Sequence, residues 1–185
     1  MTNNVNLGIG LASGMFFAAV ENTPLPTSPS EALSEAWEEV GAISEDGITL
    51  QAGHELEPIR NWAKVVERLK PSEDNPKIQA PIIETTAKVF EELWGAENVT
   101  TAAATTSHGN QFKVELSAQT APGKRAFLFL MKDGDDMILI GTKSGILGTV
   151  DDVSFTPGDP ITWTATIEAE KWTILKDDGQ LATSV

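Results

Sequence analysis

The 185-residue chain sets 27 acidic against 13 basic residues, a formal net charge of −14, with 41 % apolar residues. That balance suits one domain with a sizeable core and disfavours tight nucleic-acid binding, which needs clustered Lys and Arg to meet phosphate. The absence of cysteine excludes disulfides, thiolate metal sites and a cysteine nucleophile.

LGIGLASGMFFAAV, residues 7–20, is the only long apolar run. It is shorter than the about 20 residues that span a bilayer, and the preceding MTNNVN lacks the basic residues of a signal peptide. Gly8, Gly10 and Gly14 have neither the spacing of a dinucleotide loop nor a strand ahead of them. The expectation is an extended N-terminal arm over residues 1–29, since the prolines of ENTPLPTSPSEAL favour extended backbone. Leu33, Trp37 and Val40, with Ser30 or Ser34 as cap, predict a short amphipathic helix over about 30–40 that stops at Gly41.

Asp46-Gly47, between AIS and ITL, predicts a tight turn. Residues 57–70, EPIRNWAKVVERLK, fit a helix and a long strand equally, and pattern alone leaves both open. SEDNP, residues 72–76, reads as a polar loop and IQAPII as a strand. TTAKVFEELWG predicts a packed helix over about 85–94, with a Thr cap, Val89, Phe90 and Leu93 inward, and Gly95 as stop. Beyond it the strands VTTAAAT, FKVELSA, RAFLFLM, MILIGTK, GILGTVDDVSF, ITWTATIEA and KWTILK are separated by Pro122-Gly123, Asp133-Gly134, Pro157-Gly158 and Asp178-Gly179. The fold class expected is mainly β, a β-sandwich or barrel with one packed helix over residues 30–185.

Chemistry is sparse. Glu45-Asp46, Asp133 with Asp135-Asp136, Asp151-Asp152 and Asp177-Asp178 each abut a strand end, where Asp and Gly supply turns. An EF-hand counted from Asp133 would put Ser144 where a bidentate Glu is required. His54 and His108 stand outside any metal spacing. No G-x-S-x-G elbow or P-loop is present, and the Asn98-Val99-Thr100 sequon matters only in a secreted eukaryotic protein. Trp37, Trp62, Trp94, Trp163 and Trp172 fall within predicted elements, as core or interface residues do. No catalytic residue, cofactor or metal is expected.

TPLPTSPSEALSEAWEEVGAISEDGITL, followed by EPIRNWAKVVERLKPSEDNPKIQAPIIETTAKVFEELWG, resembles the major tail (tail tube) proteins of long-tailed bacteriophages, above all those infecting actinobacteria. The resemblance rests on Pro24–Thr27, Trp37–Gly41, Ile43–Thr49, Trp62, Ile83–Thr85 and Leu93–Gly95, with the late strands RAFLFLMKDGDDMILIG and DPITWTATIEAE, and covers about residues 22–175. It implies a structural subunit forming hexameric rings, stacked into a tube around a tape measure protein, with distal tail and tail terminator proteins at its ends. DNA would pass through the lumen without specific binding, and the tail would be assembled in the host cytoplasm with no membrane partner. It also implies that 57–70 is one long strand carrying a buried Trp62 and paired across SEDNP with 77–84, in a hairpin (about 57–84) reaching toward the neighbouring ring. Pro24, Leu25, Pro26, Trp62, Ser72, Glu73, Asp74 and Asn75 are the implied inter-subunit contacts, and Glu45 and Asp46 a turn at a contact or in the lumen. The alternatives are the inner tube of a contractile tail or secretion system, or a β-sandwich module binding glycan or Ca²⁺.

Overall fold

A computed structural model describes residues 16–52, 56–71, 75–116, 122–133 and 135–178. The described residues form twelve strands: β1 (Phe16–Val20), β2 (Glu38–Gly41), β3 (Thr49–Gln51), β4 (Leu56–Arg60), β5 (Val66–Pro71), β6 (Lys77–Ile82), β7 (Val99–Ala102), β8 (Gln111–Val114), β9 (Arg125–Asp133), β10 (Asp136–Val150), β11 (Trp163–Ala169) and β12 (Thr173–Asp177). One α-helix, α1 (Ala87–Trp94), and a 3-10 turn at Ala96–Asn98 interrupt them.

The main sheet runs β2-β1-β9-β10-β11-β6-β3, with β12 beside β10. Its two ends meet. After leaving β1, the chain from Gly41 to Ser44 bonds to β6 through Ser44 N–H to Pro81 O (2.8 Å) and Ile83 N–H to Ala42 O (3.0 Å). Ile43 bridges Ile82, and β3 completes the pairing with Gln79, Ile78 and Lys77. The result is a closed barrel in which the two ends of the sheet are joined, while β3 and β12 each keep one strand neighbour.

Both faces of β1 and β9 are covered, so their sequences read as continuous apolar runs rather than alternations. Phe16, Ala18, Phe127 and Phe129 point into the barrel with Ile78, Ile82, Val89, Leu147 and Ile167. Phe16 and Phe129 stack with centroids 4.8 Å apart. Ala19, Ala126, Leu128 and Leu130 point the other way and lie beneath Leu25, Leu33 and Trp37. The barrel wall turns where β10 passes from β9 and β12 to β11: bulges interrupt the registers at Thr142/Gly145 and Leu147/Thr149, which increases bend and twist. At Gly145 a Cβ would sit 3.1 Å from Phe127 Cδ2.

α1 conforms to its sequence signals. Thr86 accepts a bond from Val89 N–H, and Gly95 closes the helix at φ 89°. Val89, Phe90 and Leu93 join the barrel core.

Three sequence expectations are corrected. The helix expected over 30–40 is replaced by turns at Thr27–Glu31 and Glu35–Ala36, followed by β2. Here hydroxyls compete with helical bonding: Ser28 and Ser30 Oγ both donate to Asp177 Oδ2 (2.8 and 2.6 Å), while Thr27 N–H and Oγ1 donate to Glu31. Leu33 and Trp37 cover the outer face of the sheet, whereas Val40 enters the barrel. The described part of the arm is likewise integral, since β1 lies between β2 and β9. Finally, 57–70 is no single strand. It folds on itself as the β4–β5 hairpin, and 77–82 pairs instead with β11 and β3. The earlier part of the apolar run, residues 1–15, lies outside the described residues.

Truncating the stacked core ring tests this assignment. Phe129→Ala should lower the unfolding free energy by about 3–5 kcal/mol in urea titration, because Phe129 is fully buried.

Candidate assembly surfaces

The β4–β5 hairpin owes its shape to Asn61. Asn61 N–H donates to Val65 O (2.9 Å), and Lys64 N–H donates back to Asn61 O (2.9 Å). Its side chain accepts from Val65 N–H (3.1 Å) and donates to Glu67 (2.8 Å). Lys64 takes the left-handed conformation, φ 62°, at some cost for a residue with a Cβ. The hairpin's main tertiary contact is with itself, and it exposes an unusual apolar set for a monomer surface. Trp62 at the tip is fully exposed (103 %), with Ile59, Val65, Val66 and Leu69 at 44–58 %. The expectation of a buried Trp62 is thus overturned: among the described residues its side chain stands clear of the core.

Register places the hairpin at one pole of the barrel. It is inserted between β3 and β6 where Gln51 pairs with Lys77 and Lys77 with Glu168. At that pole a concavity of about 800 Å³ is lined by Leu25, Asn75, Glu168 and the exposed Lys124, Lys143 and Lys171. The opposite pole is where Ile82 pairs with Trp163. There Trp163 donates Nε1–H to Thr85 Oγ1 (3.1 Å) and meets Phe90, Trp94 and Phe155 with ring centroids 4.8, 5.7 and 6.2 Å away. Trp94, Phe155, Trp163 and Leu116 wall a groove of about 540 Å³, with Asp151 and Asp152 along it. Phe155 and Leu116 are 70 % and 68 % exposed.

The other residues singled out from sequence fall as follows. Pro24 is exposed, while Leu25 and Pro26 are half-buried, Leu25 packing on Gly141, where a Cβ would lie 2.7 Å from Leu25 Cδ2. Asn75 is exposed. Ser72, Glu73, Asp74 and His54 lie outside the described residues. Glu45 and Asp46 are exposed in a turn closed by Gly47 N–H to Ser44 O (3.0 Å), with Gly47 at φ 70° and Ser44 Oγ bonded to Asp46 (3.3 Å). Of the other acidic residues, Asp136 pairs with Lys176 (3.0 Å) and Asp177 accepts from Ser28 and Ser30. His108 Nδ1 contacts its own loop at Gly109 O. Among the described residues no group of three or more His, Cys, Asp or Glu could hold a metal, and no helix is long and apolar enough to cross a membrane.

Sequence reasoning missed one charged cluster. Glu92, on α1 beside the core residue Leu93, is buried and pairs with Arg125 (2.9 Å) and Lys88 (3.5 Å), and Lys88 also binds Glu38. Arg125 Nε is buried without a partner. The signal was present in the helix pattern, because position 92 lies three residues after Val89 on the buried face. Burial raises the Glu92 pKa, against the opposing pull of Arg125 and Lys88.

The described residues thus form a closed β barrel with two concave poles and a projecting apolar hairpin. A family model described as phage tail tube protein matches residues 1–173, and the chain belongs to this family. It is a structural protein of the phage virion tail, self-assembling into a tube with other tail proteins. No curated protein matches the chain.

A folded-state pKa above the unfolded one means that native Glu92 favours its protonated form, so its contribution to stability falls as pH rises through that range. Glu92→Gln, a neutral mimic, should be at least as stable as the parent at about pH 7, its advantage shrinking toward about pH 4. Denaturant titration at both pH values decides this. A parental advantage that grows with pH would mean that the ion pairs outweigh burial.

Proposed function

We propose that the protein forms hexameric rings, stacked into a hollow tube around a tape measure protein, bounded by distal tail and tail terminator proteins. Assembly takes place in the host cytoplasm, and phage DNA leaves through the lumen. The observation that carries this reading is the β4–β5 hairpin. A subunit that stayed alone would leave Trp62 and four aliphatic neighbours in water, whereas a ring-to-ring contact removes them from it. The segment around Pro24, Leu25 and Pro26, with Asn75 at the root of the hairpin, supplies further contacts between copies. Support for free passage of DNA comes from the net charge of −14, since neutralising phosphates with cations is what makes proteins adhere to it. Glu45 and Asp46 contribute to that negative field from an exposed turn.

Electron micrographs of purified protein should show rings or tubes at high concentration. A particle that stays monomeric under every condition, tape measure protein included, overturns the proposal. Trp62→Ser combined with Leu69→Ser should leave the circular dichroism spectrum unchanged, both being exposed, while abolishing tubes. Loss of the spectrum would instead assign these residues to the fold.

A further inference from the structure

The hairpin's charge opposes that of its own body. Arg60, Lys64, Arg68 and Lys70 against Glu57 and Glu67 give residues 56–71 a formal charge of +2, in a chain whose total is −14. It is therefore a basic as well as an apolar projection, and the two poles do not suit it equally. The concavity at its own root sets Lys124, Lys143 and Lys171 against Glu168 and Glu170, a lining with an excess of cations that does not attract a basic projection. The groove at the far pole combines what it lacks: the aromatic wall of Trp94, Phe155 and Trp163 for Trp62, and Asp151 with Asp152 for the cations. The two ends of β6, Lys77 and Ile82, mark the two poles, about 17 Å apart along the strand. Trp62 is fully exposed, so the hairpin does not fill its own groove.

We infer that the hairpin Leu56–Pro71 of one copy seats in the Trp94–Phe155–Trp163 groove of the next, with Arg68 and Lys64 facing Asp151 and Asp152. This rests on the tube reading above and names its receiving surface. Joining opposite poles of identical subunits is a heterologous contact that does not close on itself, so it propagates along an axis.

The chain's lack of cysteine makes the test direct. Ala63→Cys and Asp152→Cys, both at exposed positions, are purified separately, checked by circular dichroism, mixed, and treated with a short bis-maleimide. A covalent dimer should form in the mixture, while either variant alone stays monomeric on a denaturing gel. Ala63→Cys mixed with Lys171→Cys, at the hairpin's own pole, should give no dimer. Tubes in the micrograph without the Ala63–Asp152 product, or with a product preferring Lys171, overturn the inference while the tube stands. A preparation that never assembles overturns the tube reading, and this contact with it.

Discussion

Pairing of the sheet's last free edges governs the rest of this molecule. Main-chain bonds from Ala42 and Ser44 to the β6 segment turn a sheet with two open edges into a barrel. Once that seam is closed, the core has a fixed volume, filled by the Phe16–Phe127–Phe129 rings and capped from one side by α1. Closure leaves β3 and β12 with one strand neighbour each, and the features that stand off the wall or hollow its ends are the projecting hairpin and the concave poles.

The outer layer follows from the same constraint. A strand buried on both faces needs cover on both, and the barrel interior supplies only one. Leu25, Leu33, Trp37 and Leu175 supply the other for Ala19, Leu128 and Leu139. This is why a proline-rich segment without regular structure is held in place, fastened at Asp177 by two hydroxyls. The Glu92–Arg125 pair lies between α1 and the start of β9, where the apolar filling gives way to charge and where burial raises the acid's pKa.

Local signals were legible wherever one element carried its own determinants. Thr86, Val89, Phe90, Leu93 and Gly95 defined α1, and Asp46-Gly47 marked its turn, because caps and left-handed glycines act within a few residues. The family was legible from the SEDG-to-WG block, and a family match over residues 1–173 agrees. Illegible were features decided at a distance. Leu33, Trp37 and Val40 have helical spacing, yet they serve two different layers, and only the position of β1 and Asp177 reveals it. The turn at Asn61–Lys64 contains neither glycine nor proline, so the pattern of 57–70 stayed open between helix and strand and the resemblance implied one long strand. β10 runs without a break through Thr142–Gly145, where the sequence suggested two strands. The grooves at the poles are built from residues far apart in the chain, beyond what spacing can show.

The partner of β1 has a consequence for synthesis. Phe16 to Val20 emerge among the first parts of the described chain, yet their main neighbour, β9, is made more than a hundred residues later, and Ser28 waits longer still for Asp177. Contacts of such sequence separation form slowly and late. Neither layer of the wall can therefore be completed on a ribosome still translating the second half. The groove at the far pole, walled by Trp94, Phe155 and Trp163, likewise takes shape only after both halves of the chain are made.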